Sequence, residues 1–387
     1  MARRAANGRL SSVMSFTSLS KLASSRRLVV KIGSALLVKQ GEPNAHWLKT
    51  LAQDLAKLRS HGVEIIVVSS GAIALGASRL GLQNGGRGSL ADAQAAASVG
   101  QIALASLWAE QLGAHEMTAA QMLLSLSDLE DRRRYLNASA TLERLLEAGA
   151  VPVINENDSV ATEEIRFGDN DRLAARVAQA ANADAVLLLS DVAGLYDRDP
   201  AQAGAKLIER VDGLTPDILA MASEASSSGM GSGGMVSKLQ AAQIAERAGI
   251  TLAIIDGTQD SPVTQAIEAN RGTVFVAQRS EGARKGWLSG RIVSSGSVTV
   301  DQGCAKAMTE SGASVLAVGI TAVDGNFQRG DLIEILGPDG RQLAKGLSEY
   351  DAVVCRRIAG LREDHQAKIL GYAPRAAVIH RDHLVLL

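Results

Sequence analysis

Leu28-Val29-Val30-Lys31-Ile32-Gly33-Ser34 is a short aliphatic run that carries a lysine near its end and breaks into a glycine turn. Consecutive apolar residues over so short a span predict a strand buried on both faces. Similar runs return at 64–68, 151–154, 185–189, 251–255 and 273–276, and stretches with helical spacing lie between them at about 46–60, 90–112, 135–148, 170–182 and 236–248. Such alternation predicts an α/β fold with a mainly parallel central sheet, helices on both faces, and ligand sites at the carboxyl ends of the strands.

The chain has 387 residues, which suits one large domain and a smaller one. Its hydrophobic fraction of 46% and its 7 prolines mark it as globular, and an aromatic content of only 3% suits helices packed closely on a sheet. Net charge is −1, so composition gives no general attraction to nucleic acid or to an acidic membrane, and anionic ligands must be handled locally. No apolar stretch approaches the roughly 20 residues of a membrane span. We therefore expect a cytoplasmic protein.

Residues 1–27 carry six Lys and Arg and no acid, together with many serines. They read as a basic, disordered amino-terminal extension or a transit peptide. The alternating pattern fills 28–278, and the charged stretch 279–289 reads as a linker. Beyond it, turns such as Arg329-Gly330-Asp331 and Pro338-Asp339-Gly340 separate short strands, which predicts a small, mostly β domain over 290–387. From 286 to 387 there are 11 basic and 11 acidic residues, a balance that argues against an RNA-binding surface. Cys304 and Cys355 have no metal-like spacing and are expected to be reduced thiols, although a chance pairing of the two stays open. His380 and His383 receive no function, and no metal-ligating set is assigned.

The polar motifs follow the predicted strands. Gly33 and Ser34 allow a tight turn whose N–H groups can approach a phosphate, with Lys31 beside it. Ser70, after the second strand, reads either as a helix cap or as part of an anion site at a helix start. Asn155-Glu156-Asn157-Asp158 follows a buried strand, and Gly168-Asp169-Asn170-Asp171 opens a helix; each alone could be a turn, but together they offer an amino acid both amides and carboxylates. Ser190 and Asp191 end another strand, where a nucleotide is commonly received. The strongest single signal is the glycine-rich run Gly229-Met230-Gly231-Ser232-Gly233-Gly234-Met235-Val236-Ser237-Lys238, read as a flexible loop leading to a second lysine. Two lysines in glycine frames around a polar pocket suit transfer of a phosphoryl group between anions. Neither frame has the spacing of a P-loop or of a protein-kinase loop.

Taken together, the segments 29–34, 69–74, 100–101, 121–124, 151–158, 168–171 and 231–242 resemble the amino acid kinase family, and the resemblance runs from Leu28 to the carboxyl end. It implies an αβα sandwich with a PUA-like tail. It also implies transfer of phosphate from MgATP to the γ-carboxylate of L-glutamate, giving L-glutamyl 5-phosphate at the start of proline synthesis. Feedback inhibition by proline, a homo-oligomer (dimer or tetramer) and delivery of product to a glutamyl phosphate reductase are further implications. On matching positions, Lys31, Asp171 and Lys238 would be catalytic. Ser70, Asn155, Asp158, Asp169 and Asn170 would bind glutamate, while Lys31, Ser190, Asp191, Ser232, Gly233, Gly234, Met235, Val236, Ser237 and Lys238 would bind ATP, with Mg²⁺ as cofactor. Ser190 and Ser232 stand where relatives often have Thr, which keeps the hydroxyl.

Another phosphotransferase of the family, acting on aspartate, acetylglutamate, carbamate or a nucleoside monophosphate, is the nearest alternative. A PUA-linked RNA-binding protein is the alternative from a different class.

Overall fold

The computed structural model describes residues 18–160, 169–224, 232–277 and 294–387. They belong to two compact units divided between residues 279 and 280. In the first unit the strands are β1 (Arg27–Ile32), the two-residue pair β2 (Val38–Lys39) and β3 (Glu42–Pro43), β4 (Glu64–Ser69), β5 (Ala119–Leu124), β6 (Val151–Glu156), β7 (Ala185–Ser190), β8 (Arg210–Val211), β9 (Thr251–Asp256) and β10 (Thr273–Phe275). The helices are α1 (Ser34–Leu37), α2 (Ala45–Ser60), α3 (Ala72–Leu80), α4 (Leu90–Gly113), α5 (Leu126–Glu130), α6 (Arg132–Glu147), α7 (Asp169–Ala180), α8 (Pro216–Glu224), α9 (Ser232–Arg247) and α10 (Pro262–Ala269).

Eight of the strands form one sheet in the order β5-β6-β4-β1-β7-β9-β10-β8, parallel except between β9 and β10. Every residue of β1 and β7 is buried, which is why these strands read as unbroken apolar runs. From β1 the sheet extends on one side through β4, β6 and β5, the strands of this sheet that come next after β1 in the chain, and on the other through β7 and β9, so the direction of strand addition reverses beside β1. A crevice opens outside the carboxyl ends of the strands at such a reversal. Lys31, paired in register with Val68 and Leu188, stands there.

Two features differ from the sequence expectation. A 3₁₀ turn, Leu19–Ser24, precedes β1 and buries Leu19 and Leu22 in the main core, so part of the stretch read as an extension belongs to the folded unit. The apolar pair three residues apart outweighs the basic, serine-rich surroundings. Strand β5 was not expected, because Ala119-Ala120-Gln121-Met122-Leu123-Leu124 is made of helix formers. It is a partly exposed edge strand, paired in the sheet with β6 and packed against α4. The segment 279–289 lies outside the described residues.

The second unit has a five-stranded sheet of β11 (Gly296–Val300), β12 (Ile320–Gly325), β13 (Leu332–Leu336), β14 (Gln342–Leu347) and β15 (Leu384–Leu386), in the order β12-β11-β13-β14-β15. Three helices, Gln302–Ser311, Ala352–Ile358 and Glu363–Leu370, accompany it, so the unit is less purely β than its turn pattern suggests. Val298, Phe327, Ile333, Ile335 and Cys355 lie in its core. Both cysteines are free, and burial pushes the Cys355 thiol up to about 12.

Candidate active site

The carboxyl end of β1 passes through Gly33 directly into α1, and the backbone N–H of Ser70 donates to the Ile32 carbonyl, which ties the turn after β4 to that strand end. Lys31 reaches Asp171 in the first turn of α7, with Nζ 2.6 Å from Oδ1. Lys238 on α9 approaches the other oxygen, with Nζ 3.4 Å from Oδ2, and also donates to the Gly234 carbonyl at 3.2 Å. All three side chains are buried. One carboxylate thus holds two ammonium groups, one on each oxygen. A Cβ at Gly33 would stand 3.8 Å from the Lys31 Nζ, and one at Gly234 3.6 Å from the Lys238 Nζ, so the two glycines keep space open beside the cations.

The next residue back along α7 belongs to a second cluster. Asn170 Nδ2 donates to Ser70 Oγ at 2.7 Å and to Asn155 Oδ1 at 3.2 Å. Asn155 Nδ2 in turn donates to Gln101 Oε1 at 2.8 Å. The Asn170 Oδ1 is buried and takes no hydrogen bond among the described residues. Ser70 is not the cap of α3: Gly71 occupies that position with φ of +115°, and no side chain caps the helix. A Cβ at Gly71 would lie 3.0 Å from a Leu37 methyl, so the turn requires glycine on both counts. The Ser70 hydroxyl accepts from Asn170 and keeps its own O–H to donate, and the first N–H groups of α3 have no side-chain cap to satisfy them, which suits an anion.

Asp158 opens a 3₁₀ turn after β6 and is buried; its charge reaches Arg87, whose guanidinium burial holds below its usual value while Asp158 pulls it back up. Asp169 is the first residue of α7. At the end of β7, Ser190 Oγ donates to Asp191 Oδ1 at 3.0 Å, and the Ser190 carbonyl accepts from the Gly257 N–H. The 232–238 stretch, read from its glycines as a loop, instead forms the first two turns of α9, with Met235 half-buried, Val236 exposed and Ser237 buried beside Lys238. Glycine is tolerated there because the first-turn N–H groups have no helical partner, and the same groups suit phosphate. The preceding glycines, Gly229 and Gly231, lie outside the described residues.

The fold therefore brings Lys31, Asp171 and Lys238 into one cluster and Ser70, Asn155 and Asn170 into another, joined through consecutive residues of α7. Ser190 ends β7, the strand next to β1, and Asp191 follows it. Sequence reasoning assigned no role to Gln101, which sits in the middle of the long, alanine-rich α4. The signal available was its neighbour Gly100, since glycine inside a helix marks a close packing contact.

The sequence profile of the amino acid kinase family matches residues 26–256, which include all of these side chains. The chain belongs to the amino acid kinase family. Glutamate 5-kinase of Novosphingobium aromaticivorans is 64% identical over 370 residues, covering 95% of this chain and 98% of the relative. Glutamate 5-kinases of Sphingopyxis alaskensis and Zymomonas mobilis subsp. mobilis are 61% and 55% identical, covering 94% and 93% of this chain and 98% and 91% of theirs. A PUA domain matches 296–370, in the second unit. Membership in this kinase family implies ATP as the phosphoryl donor. Among the described residues no helix is long and apolar enough to cross a membrane.

Proposed function

We propose that this chain transfers the γ-phosphoryl group of ATP to the γ-carboxylate of L-glutamate, giving ADP and L-glutamyl 5-phosphate, the first step of proline biosynthesis. The observation that carries the reading is the adjacency on α7 of Asn170 and Asp171, which joins an amide pocket suited to an amino acid to a lysine cluster suited to a phosphoryl group. Relatives at 55–64% identity that carry the name glutamate 5-kinase support the choice of substrate.

The acceptor needs no general base, because a γ-carboxylate with a reference pKa of about 4.3 is ionised at neutral pH. A bond forms between a carboxylate oxygen and the γ-phosphorus while the bond from that phosphorus to the β–γ bridging oxygen breaks, and no net proton moves. The obstacle is the approach of two anions, and positioning with charge neutralisation overcomes it. Lys31 and Lys238 neutralise charge on the transferring group. Asp171 takes one ammonium on each of its oxygens and so fixes the spacing of the pair. Ser70, Asn170 and Asp158 hold the amino acid with Asn155 and Asp169 in support, and Ser190, Asp191 and the first turns of α9 hold the nucleotide. Mg²⁺ supplies further neutralisation at the phosphates. Among the described residues no group of three or more His, Cys, Asp or Glu is gathered as a metal-binding set, and Mg²⁺ would enter with the nucleotide.

The same reading extends to a cytoplasmic homo-oligomer inhibited by proline, to hand-over of the labile acyl phosphate to a reductase, and to a kinase domain ending near 278 with the PUA-like domain starting near 290. The test is ADP release from MgATP with L-glutamate, L-aspartate, N-acetylglutamate or UMP, with hydroxylamine present to trap an acyl phosphate. Hydroxamate formed with glutamate alone is the expected result. Turnover on another acceptor would discard the substrate, and turnover on none would discard the activity.

A further inference from the structure

The relay of amides that ends at Asn170 begins at a residue with no assigned role. Gln101 Oε1 accepts from Asn155 Nδ2, the Asn155 oxygen accepts from Asn170 Nδ2, and that same Nδ2 donates to Ser70. Each amide has one donor end and one acceptor end, so the direction of the whole relay follows from which end Gln101 presents. With an oxygen presented, Asn155 turns its amino group to Gln101 and its oxygen to Asn170, and Asn170 keeps its own oxygen out of the relay. That oxygen is buried and, among the described residues, without a donor. A buried acceptor left in this condition is destabilising until a donor arrives. Glutamate with both carboxylates ionised offers only one donor group, its ammonium.

The position of Gln101 is fixed by the crossing of α3 and α4. A Cβ at Gly100 would fall 1.8 Å from the Ala72 carbonyl oxygen, and one at Gly76 would fall 1.8 Å from the Ala96 carbonyl oxygen, so the helix backbones touch where α3 starts. Gln101 follows that contact on α4, and Ser70 precedes α3 by two residues. Both ends of the relay are thereby anchored to one close-packed joint.

We propose that Gln101 is a positioning residue for the amino acid substrate: its oxygen polarises the Asn155–Asn170 relay so that the Asn170 carbonyl is reserved for the substrate ammonium. The proposal rests on the glutamate reading above and deepens it. Glutarate, which keeps both carboxylates of glutamate and lacks the ammonium, is the discriminating probe.

The experiment compares kcat and KM of the full-length wild type, Gln101→Met and Gln101→Glu with L-glutamate, glutarate and ATP, together with the melting temperature of each protein. Gln101→Met removes the acceptor at similar volume and is expected to raise the KM for glutamate by about 10-fold, the scale of one directed hydrogen bond, with the KM for ATP and kcat little changed. The preference of the wild type for glutamate over glutarate is expected to fall by a similar factor. Gln101→Glu presents only acceptors and is expected to restore both the KM and the preference. A Gln101→Met enzyme with unchanged preference overturns the proposal, as does a Gln101→Glu enzyme as impaired as Gln101→Met. Parallel changes in melting temperature and in both KM values would reduce Gln101 to a packing residue. A wild type without glutamate hydroxamate would instead refute the underlying substrate.

Discussion

Strand β1 buries two cations four residues apart, Arg27 at its amino end and Lys31 near its carboxyl end, and the molecule surrounds them differently. Arg27 donates to Glu64 at 2.9 Å, to Glu143 at 2.8 Å and to the Ala181 carbonyl, while the backbone N–H groups of Arg26 and Arg27 both donate to Asp184. Burial alone would lower the Arg27 pKa, yet Glu143 and Glu64 hold it above its usual value. One cation meets two carboxylates. At the other end, Lys31 and Lys238 share Asp171, so two cations meet one carboxylate. The first cluster is complete in itself and ties strand to helix. The second holds a positive charge in excess at a buried place, which is a disposition for an anion that arrives from outside.

The largest effect that could break this contrast is expected at Lys238. Replacing it with Ala should lower kcat by about 1,000-fold, the upper range for loss of one charge-stabilising group, while relief of the like-charge pair leaves the melting temperature unchanged or higher. Steady-state kinetics beside thermal unfolding would decide it. A near-normal kcat would remove the lysine cluster from the mechanism.

Arg27→Ala should do the reverse. Glu64 and Glu143 are partly exposed and can recover water, so the loss comes from the charged hydrogen bonds, the stranded Ala181 carbonyl and the cavity left by a fully buried side chain, about 3–5 kcal/mol in all. Chemical denaturation should record that loss with kcat per folded molecule preserved. An Arg27→Ala protein that unfolds normally but has lost kcat would abolish the distinction between the two ends of β1.

The same contrast explains what could be read from the sequence. Strands β1, β4, β6, β7 and β9 were legible because burial on both faces leaves unbroken apolar runs, and the site residues beside them were legible because polar groups follow those runs abruptly. Strand β5 was not, since a partly exposed edge made of Ala, Gln, Met and Leu takes a strand's conformation from its tertiary surroundings, the pairing with β6 and the packing on α4. Leu19 and Leu22 were hidden by the basic residues and serines around them. The 232–238 segment was misread as a loop because glycine content speaks of flexibility, whereas a helix start accommodates it. Gln101 was hidden more deeply: it lies mid-helix, and although Gly100 beside it marks a close contact, the partner of that contact, the α3 backbone at Ala72 and Gly76, is distant in sequence and is not encoded there.

The smallest expected effect extends the comparison to a buried anion in the second unit. Burial would raise the pKa of Glu349, but His383, Arg329 and Arg375 hold it below the usual carboxylate range. Arg329 and Arg375 stand 3.2 and 3.6 Å from its Oε2, and the His383 ring nitrogen 3.8 Å from Oε1. A carboxylate depressed in the folded state favours folding above its unfolded pKa of about 4.3. That contribution fades as pH falls through the lower folded value, when both states become protonated. Glu349→Gln should therefore lower stability at pH 7 and make progressively less difference below about pH 4. Cys304 and Cys355 both lie in this unit, so reaction of the buried Cys355 with a disulfide reagent active in acid reports its unfolding separately from the kinase unit. A deficit independent of pH would mean that Glu349 acts by shape alone, as a filled position rather than a charge, and the reading of buried clusters by their balance of charge would then be confined to the kinase unit.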